Sequence, residues 1–99
     1  MTIRHVTILR LRDSFPAEDW ATWQEGLNAL PDRIPGIVSL RHGRDLGLVA
    51  GQPPGSYALV ADFESADALR AYYPHPEHER LKGYSFPNAD LVVTVDFEL

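Results

Sequence analysis

The chain predicts an α+β domain, a four-stranded antiparallel sheet with helices on one face. Three observations predict it. Period-two stretches open and close the chain, two helical stretches start behind capping signals, and turn residues separate these elements. Ninety-nine residues with 44% hydrophobic content form one domain, 1–99, with a single core and little room for a deep cavity.

The first strand is TIRHVTILRLR, residues 2–12. Ile3, His5, Thr7, Leu9 and Leu11 face one way, and Arg4, Val6, Ile8 and Arg10 the other. Apolar side chains on both faces suit a sheet covered on both sides. The helix that follows has Ser14 as its cap, Pro16 in its first turn, and Glu18 and Asp19 at the positive end of its dipole. Trp20, Trp23, Leu27 and Leu30 recur at helical spacing, first of all a core stripe. LPDRIPG, residues 30–36, is expected to end this helix, and IVSLRHGRDL, residues 37–46, reads as the second strand, with His42 exposed.

GLVAGQPPGS, residues 47–56, is a mobile loop with the makings of a lid. Tyr57, Leu59, Ala61 and Phe63 alternate with Ala58, Val60 and Asp62 in a third strand. Ser65 caps the short helix ADALRAYY, which Pro74 stops, and further helical turns run through Glu79 to Lys82 with Gly83 as exit. In the last strand Leu91, Val93, Val95 and Phe97 alternate with Val92, Thr94, Asp96 and Glu98. Strand, helix, strand, strand, helix, strand is the split βαβ, ferredoxin-like order. An outer face carrying Val6, Ile8, Val60 and Val92 is too apolar for water, so a homodimer through the sheet face is expected.

Composition excludes several functions. A net charge of -5 with scattered Lys and Arg leaves no basic stripe, so no nucleic acid partner is expected. The absence of cysteine removes disulfides, thiolate catalysis and thiolate-held metals. No apolar run approaches the roughly 20 residues that span a bilayer, and the first residues lack a signal-peptide pattern, so a cytoplasmic protein without membrane contact is the expectation. His75 and His78 form H-x-x-H, but Pro76 breaks the shared helical face, so no metal site is expected. No serine stands in G-x-S-x-G, and GRDLGLVAG lacks the setting of a phosphate loop.

The most informative stretch is YYPHPEH, residues 72–78. Its prolines push Tyr73 and His75 towards extended geometry, so one helix breaks after Tyr72 and another restarts at Pro76. His78 then lies in a helical first turn, where the dipole disfavours the imidazolium, and Tyr72 lies close enough to share its pocket. A neutral imidazole removes a proton while a phenol donates to a carbonyl or enolate oxygen. His5, on the apolar face of a central strand, needs a partner there, whether as core or as pocket residue.

IRHVTILRLRD, IPGIVSLRHGRDLG, SYALVADFES, AYYPHPEH and DLVVTVDFE together resemble the stress-responsive α/β-barrel family, the Dabb domains, over nearly the whole chain. The resemblance implies a ferredoxin-like fold whose sheets meet in a homodimeric α/β barrel. One branch, similar to the plant olivetolic acid cyclase, is a cofactor-free polyketide cyclase that closes a polyketide-type thioester by intramolecular aldol condensation. It implies His78 as general base, Tyr72 as the group that polarises the carbonyl, and His5 as a residue that holds the pocket. Leu9, Trp23 and Leu27 would line the site for a small hydrophobic or polyketide-like ligand, with no cofactor required. Gln24 and Leu27 stand where that branch has aromatic side chains. Two other readings belong to the same architecture: a non-catalytic stress-associated dimer, whose space is filled by Trp20, Trp23 and Leu27, and a cofactor-free monooxygenase.

Overall fold

The structure, a computed structural model, describes residues 1–99. Strand β1 (Ile3–Leu11) leads to helix α1 (Ala17–Arg33), then β2 (Ile37–Arg44), β3 (Ser56–Phe63), α2 (Ala66–Tyr72), α3 (Pro76–Ser85), a 3-10 turn (Phe86–Asn88) and β4 (Ala89–Glu98). The sheet order is β2-β3-β1-β4, every neighbouring pair antiparallel, which is the ferredoxin-like arrangement. The two terminal strands are therefore partners, with His5 opposite Asp96 and Thr7 opposite Thr94.

The core lies between the sheet and the helices. Leu9, Leu59, Ala61 and Phe63 of the sheet pack with Trp23, Leu27 and Leu30 of α1, Leu69 and Tyr72 of α2, and Leu81 of α3. Gly26 sets how closely α1 and α3 approach, because a Cβ there would collide with the Leu81 side chain. That close approach brings α3, and with it His78, onto the inner face.

Several local expectations change. Pro16, not Ser14, occupies the cap position of α1, and no side chain caps this helix. Helix α1 also continues through Pro31 to Arg33: the proline forfeits one hydrogen bond, and buried Leu30 and Ile34 anchor the last turn, closed by the Ile34 amide on the Leu30 carbonyl. The reversal comes at Gly36, whose φ of 90° is left-handed backbone suited to glycine. Strand β2 stops at Arg44, short of Leu46, and α3 runs through Gly83 to Ser85 because its inward residues Leu81 and Ser85 keep it on the core.

The outer face of the sheet is also corrected. Register places Val92 opposite Leu9 and hence on the inner face, while Leu91, Val93, Val95 and Phe97 join Val6, Ile8 and Val60 outside. The outer face is thus more apolar than expected.

Candidate active site

Helix α2 begins where the Ser65 hydroxyl accepts a hydrogen bond from the Ala68 amide and ends at Tyr72. Tyr73 keeps helical dihedrals (φ -55°, ψ -50°) in place of the extended geometry expected before Pro74, since the His75 amide closes a turn on the Tyr72 carbonyl at 3.1 Å. Only His75 is extended. Its Nδ1 accepts a bond from the Glu77 amide at 3.2 Å, so this histidine is the cap of α3.

The corner brings the rings of Tyr72 and His78 into a stack, centroids 4.0 Å apart and planes 28° from parallel. His78 Nδ1 donates to the Tyr73 carbonyl at 3.1 Å, a bond that assigns the proton to Nδ1 and leaves the lone pair on Nε2. Burial lowers the His78 pKa below its ordinary value, with the Lys82 ammonium and His5 acting in the same direction and the Tyr73 carbonyl and Glu79 opposing. Desolvation, more than the helix dipole, is thus what keeps the ring neutral. Tyr72 is buried, its pKa is raised by that burial and by neighbouring Tyr73, and its hydroxyl has no hydrogen-bond partner within the chain. The pair is therefore a neutral acceptor and a neutral donor at ordinary pH.

Across from this pair stands His5, 2% exposed. Its Nδ1 donates to Asp96 Oδ1 at 2.6 Å, and its Nε2 lies in hydrogen-bond contact with the Thr7 hydroxyl at 3.1 Å. Tyr73 closes over the pair, its hydroxyl 3.4 Å from both Asp96 Oδ2 and His5 Nδ1. Burial and the adjacent Asp96 push the Tyr73 phenol up to about 12. The buried imidazole thus has both nitrogens satisfied.

His5, Leu9, Trp23, Leu27, Tyr72 and His78, the residues singled out from the sequence, all line one cavity of about 190 Å³. Leu59 and Leu81 extend its apolar wall, and Thr7, Thr94, Tyr73 and Lys82 add its polar groups. Of these, Thr7, Thr94, Tyr73 and, behind His5, Asp96 are the residues that sequence reasoning missed. The available signal was the shared alternation of Val92, Thr94 and Asp96, which becomes informative only once β4 is paired with β1 in register.

Two other expected placements change. The 47–56 loop does not cover this cavity: it borders a separate hollow of about 640 Å³ with Phe15, Trp20, Arg44 and Tyr57, and Trp20 lies there with the Arg44 guanidinium 4.2 Å above its ring. Trp20 therefore does not fill the space beside His78. His42 is half-buried, not exposed, with Nδ1 2.6 Å from the Tyr57 hydroxyl and Nε2 2.6 Å from Asn28 Oδ1, and burial lowers its pKa.

Residues 3–99 match the stress responsive A/B barrel domain. The chain belongs to that family. As a stress responsive A/B barrel domain it is similar to a dimeric ferredoxin-like protein of unknown function from Thermobifida fusca, at 34% identity and a TM-score of 0.84 over 100% of this chain and 92% of that one. It is also similar to a dimeric protein of unknown function with a ferredoxin-like fold from Bacteroides fragilis, at 25% identity, TM-score 0.80, with 99% and 96% covered. The hydroxynitrile lyase of Passiflora edulis shares the fold at 17% identity and TM-score 0.83, with 99% and 93% covered. No curated protein matches the chain. No helix is long and apolar enough to cross a membrane.

Proposed function

We propose that this barrel domain is a cofactor-free enzyme acting on a carbon acid beside a carbonyl, by aldol-type cyclisation of a small polyketide-like substrate or a related proton transfer. The observation that carries this reading is the cavity in which Tyr72 and His78 meet with their protonation states pushed apart, one held neutral as donor and the other neutral as acceptor. His78 Nε2 takes the proton from the carbon next to the carbonyl. Tyr72 donates its hydroxyl to the carbonyl oxygen as charge develops on it. The resulting enolate attacks a second carbonyl of the same molecule, and His78 returns its proton to the new alkoxide.

Leu9, Trp23, Leu27, Leu59 and Leu81 are apolar and suit the substrate's hydrocarbon part, while His5 belongs to the polar floor. A non-catalytic reading requires this space to be packed by Trp20, Trp23 and Leu27, whereas Trp20 lies at the other hollow. The working unit in this proposal is a homodimer through the outer sheet face. Val93, Val95 and Phe97 are 43%, 57% and 47% exposed there, and the buried Nε of Arg10 on the same face has no acceptor within the chain.

The direct test is exchange of the methyl protons of 4-hydroxyacetophenone for deuterium, followed by NMR. The wild type is expected to accelerate exchange and a folded His78→Ala variant to lose the acceleration. Equal rates in the two proteins would contradict the assignment.

A further inference from the structure

The polar groups facing His78 across the cavity form a second chemical unit, built on the sheet floor. Asp96 Oδ1, His5 Nδ1, His5 Nε2 and Thr7 Oγ1 make a continuous relay, with links of 2.6 and 3.1 Å, and Thr94 Oγ1 lies 3.3 Å beyond. The sheet builds it. His5 and Thr7 are two residues apart on one strand and share its inner face, while β4 sets Asp96 directly opposite His5 and Thr94 opposite Thr7. With His5 neutral and its proton on Nδ1, each proton has a place: the Thr94 hydroxyl donates to Thr7, the Thr7 hydroxyl to Nε2, and Nδ1 to the carboxylate, with the Tyr73 hydroxyl on the second carboxylate oxygen.

We propose that Asp96, His5 and Thr7 form an acyl-transfer unit in this cavity, with Thr7 Oγ1 as nucleophile toward small activated esters and thioesters. The order of roles is that of a nucleophile, a base and the carboxylate that orients the base, recognised by geometry and not by chain position. Thr7 lines the cavity, which puts it within reach of a bound acyl group. Oγ1 bonds to the acyl carbon, its proton passes to His5 Nε2, and the carbonyl electron pair moves onto oxygen. Tyr72, whose hydroxyl is unpartnered in the same cavity, is the donor available to that oxyanion. Collapse breaks the bond to the leaving sulfur or oxygen, which takes the proton from His5. Water repeats the sequence and returns the proton to Thr7.

The unit shares Tyr72 with the carbon-acid chemistry but makes no use of His78, and its test uses a different readout. The whole protein is exposed to 4-nitrophenyl acetate, and acetyl adducts are mapped by mass spectrometry. The expected result is one hydroxylamine-labile acetyl on Thr7, present in Thr7→Ser and His42→Ala and absent from Thr7→Val and His5→Gln. Asp96→Asn should slow acetylation at least about 10²-fold, because the carboxylate sets the tautomer of the base. Acetyl found only on Lys82, His78 or the Met1 amine, or wild-type nitrophenolate release by folded Thr7→Val, would overturn the proposal. Exchange of the ketone protons is scored in parallel, so loss of either chemistry is seen apart from the other.

Discussion

Two histidines face one cavity from opposite walls, and the difference between them assigns their work. His78, at the helical corner, spends one nitrogen on a backbone carbonyl and keeps the other nitrogen's lone pair for a substrate. His5, on the sheet floor, is 2% exposed and has both nitrogens engaged by side chains. A proton acceptor for a bound molecule must have an uncommitted lone pair, so His78 is the base in the proposed reaction. His5 can act only through the hydroxyl it already holds. Irregular backbone frees a side chain, while strand register commits one.

The comparison predicts opposite consequences of removing each ring. His78→Ala should lower ketone exchange by about 10²- to 10⁴-fold. It should cost only about 1 kcal/mol of stability, the worth of one aromatic stack, read by chemical denaturation. His5→Ala reverses the emphasis: it empties a buried position and leaves Asp96 and Thr7 without their partner, and should destabilise by about 3 kcal/mol. If both variants lose stability equally and neither affects exchange, the distinction between the walls fails.

Tyr72→Phe keeps the stack and removes only the hydroxyl. Exchange should fall by about 10²-fold with stability nearly unchanged, because no protein group depends on that hydroxyl. Val95→Glu on the outer face asks whether both walls belong to one protomer. It should shift the protein from dimer to monomer by light scattering while the monomer retains its ketone exchange, since His5, Tyr72 and His78 all come from one chain.

The smallest effect is on stability against pH. His78 has its folded pKa lowered from the ordinary value of 6.5, so the unfolded chain binds protons more readily than the folded one in that range. Stability is complete above about 6.5 and declines as pH falls towards the folded value, below which the contribution stays lost. His78→Gln should flatten that limb of the curve.

Much of this was legible in the amino-acid order. Period-two alternation in 2–12 and 91–98 and the helix signals around Ser65 and Pro76 supply the element order, and the YYPHPEH corner isolates Tyr72 and His78. Less legible was whatever depends on pairing. Asp96 reads as one more polar residue on a strand until β4 lies antiparallel to β1 with position 96 across from His5. For the same reason the sequence does not place Val92 on the inner face: alternation tells which residues share a side, but only the partner strand tells which side it is. Pro31 misled in another way, since a strong local helix breaker was overridden by the burial of Leu30 and Ile34.

The proposed chemistry depends most directly on the protonation of His78, which can be measured without any substrate. Long-range 15N–1H correlation spectra of the imidazoles at pH 7 are expected to show a neutral His78 with its proton on Nδ1, titrating below 6.5. An imidazolium at pH 7, or a neutral ring with the proton on Nε2, would contradict it.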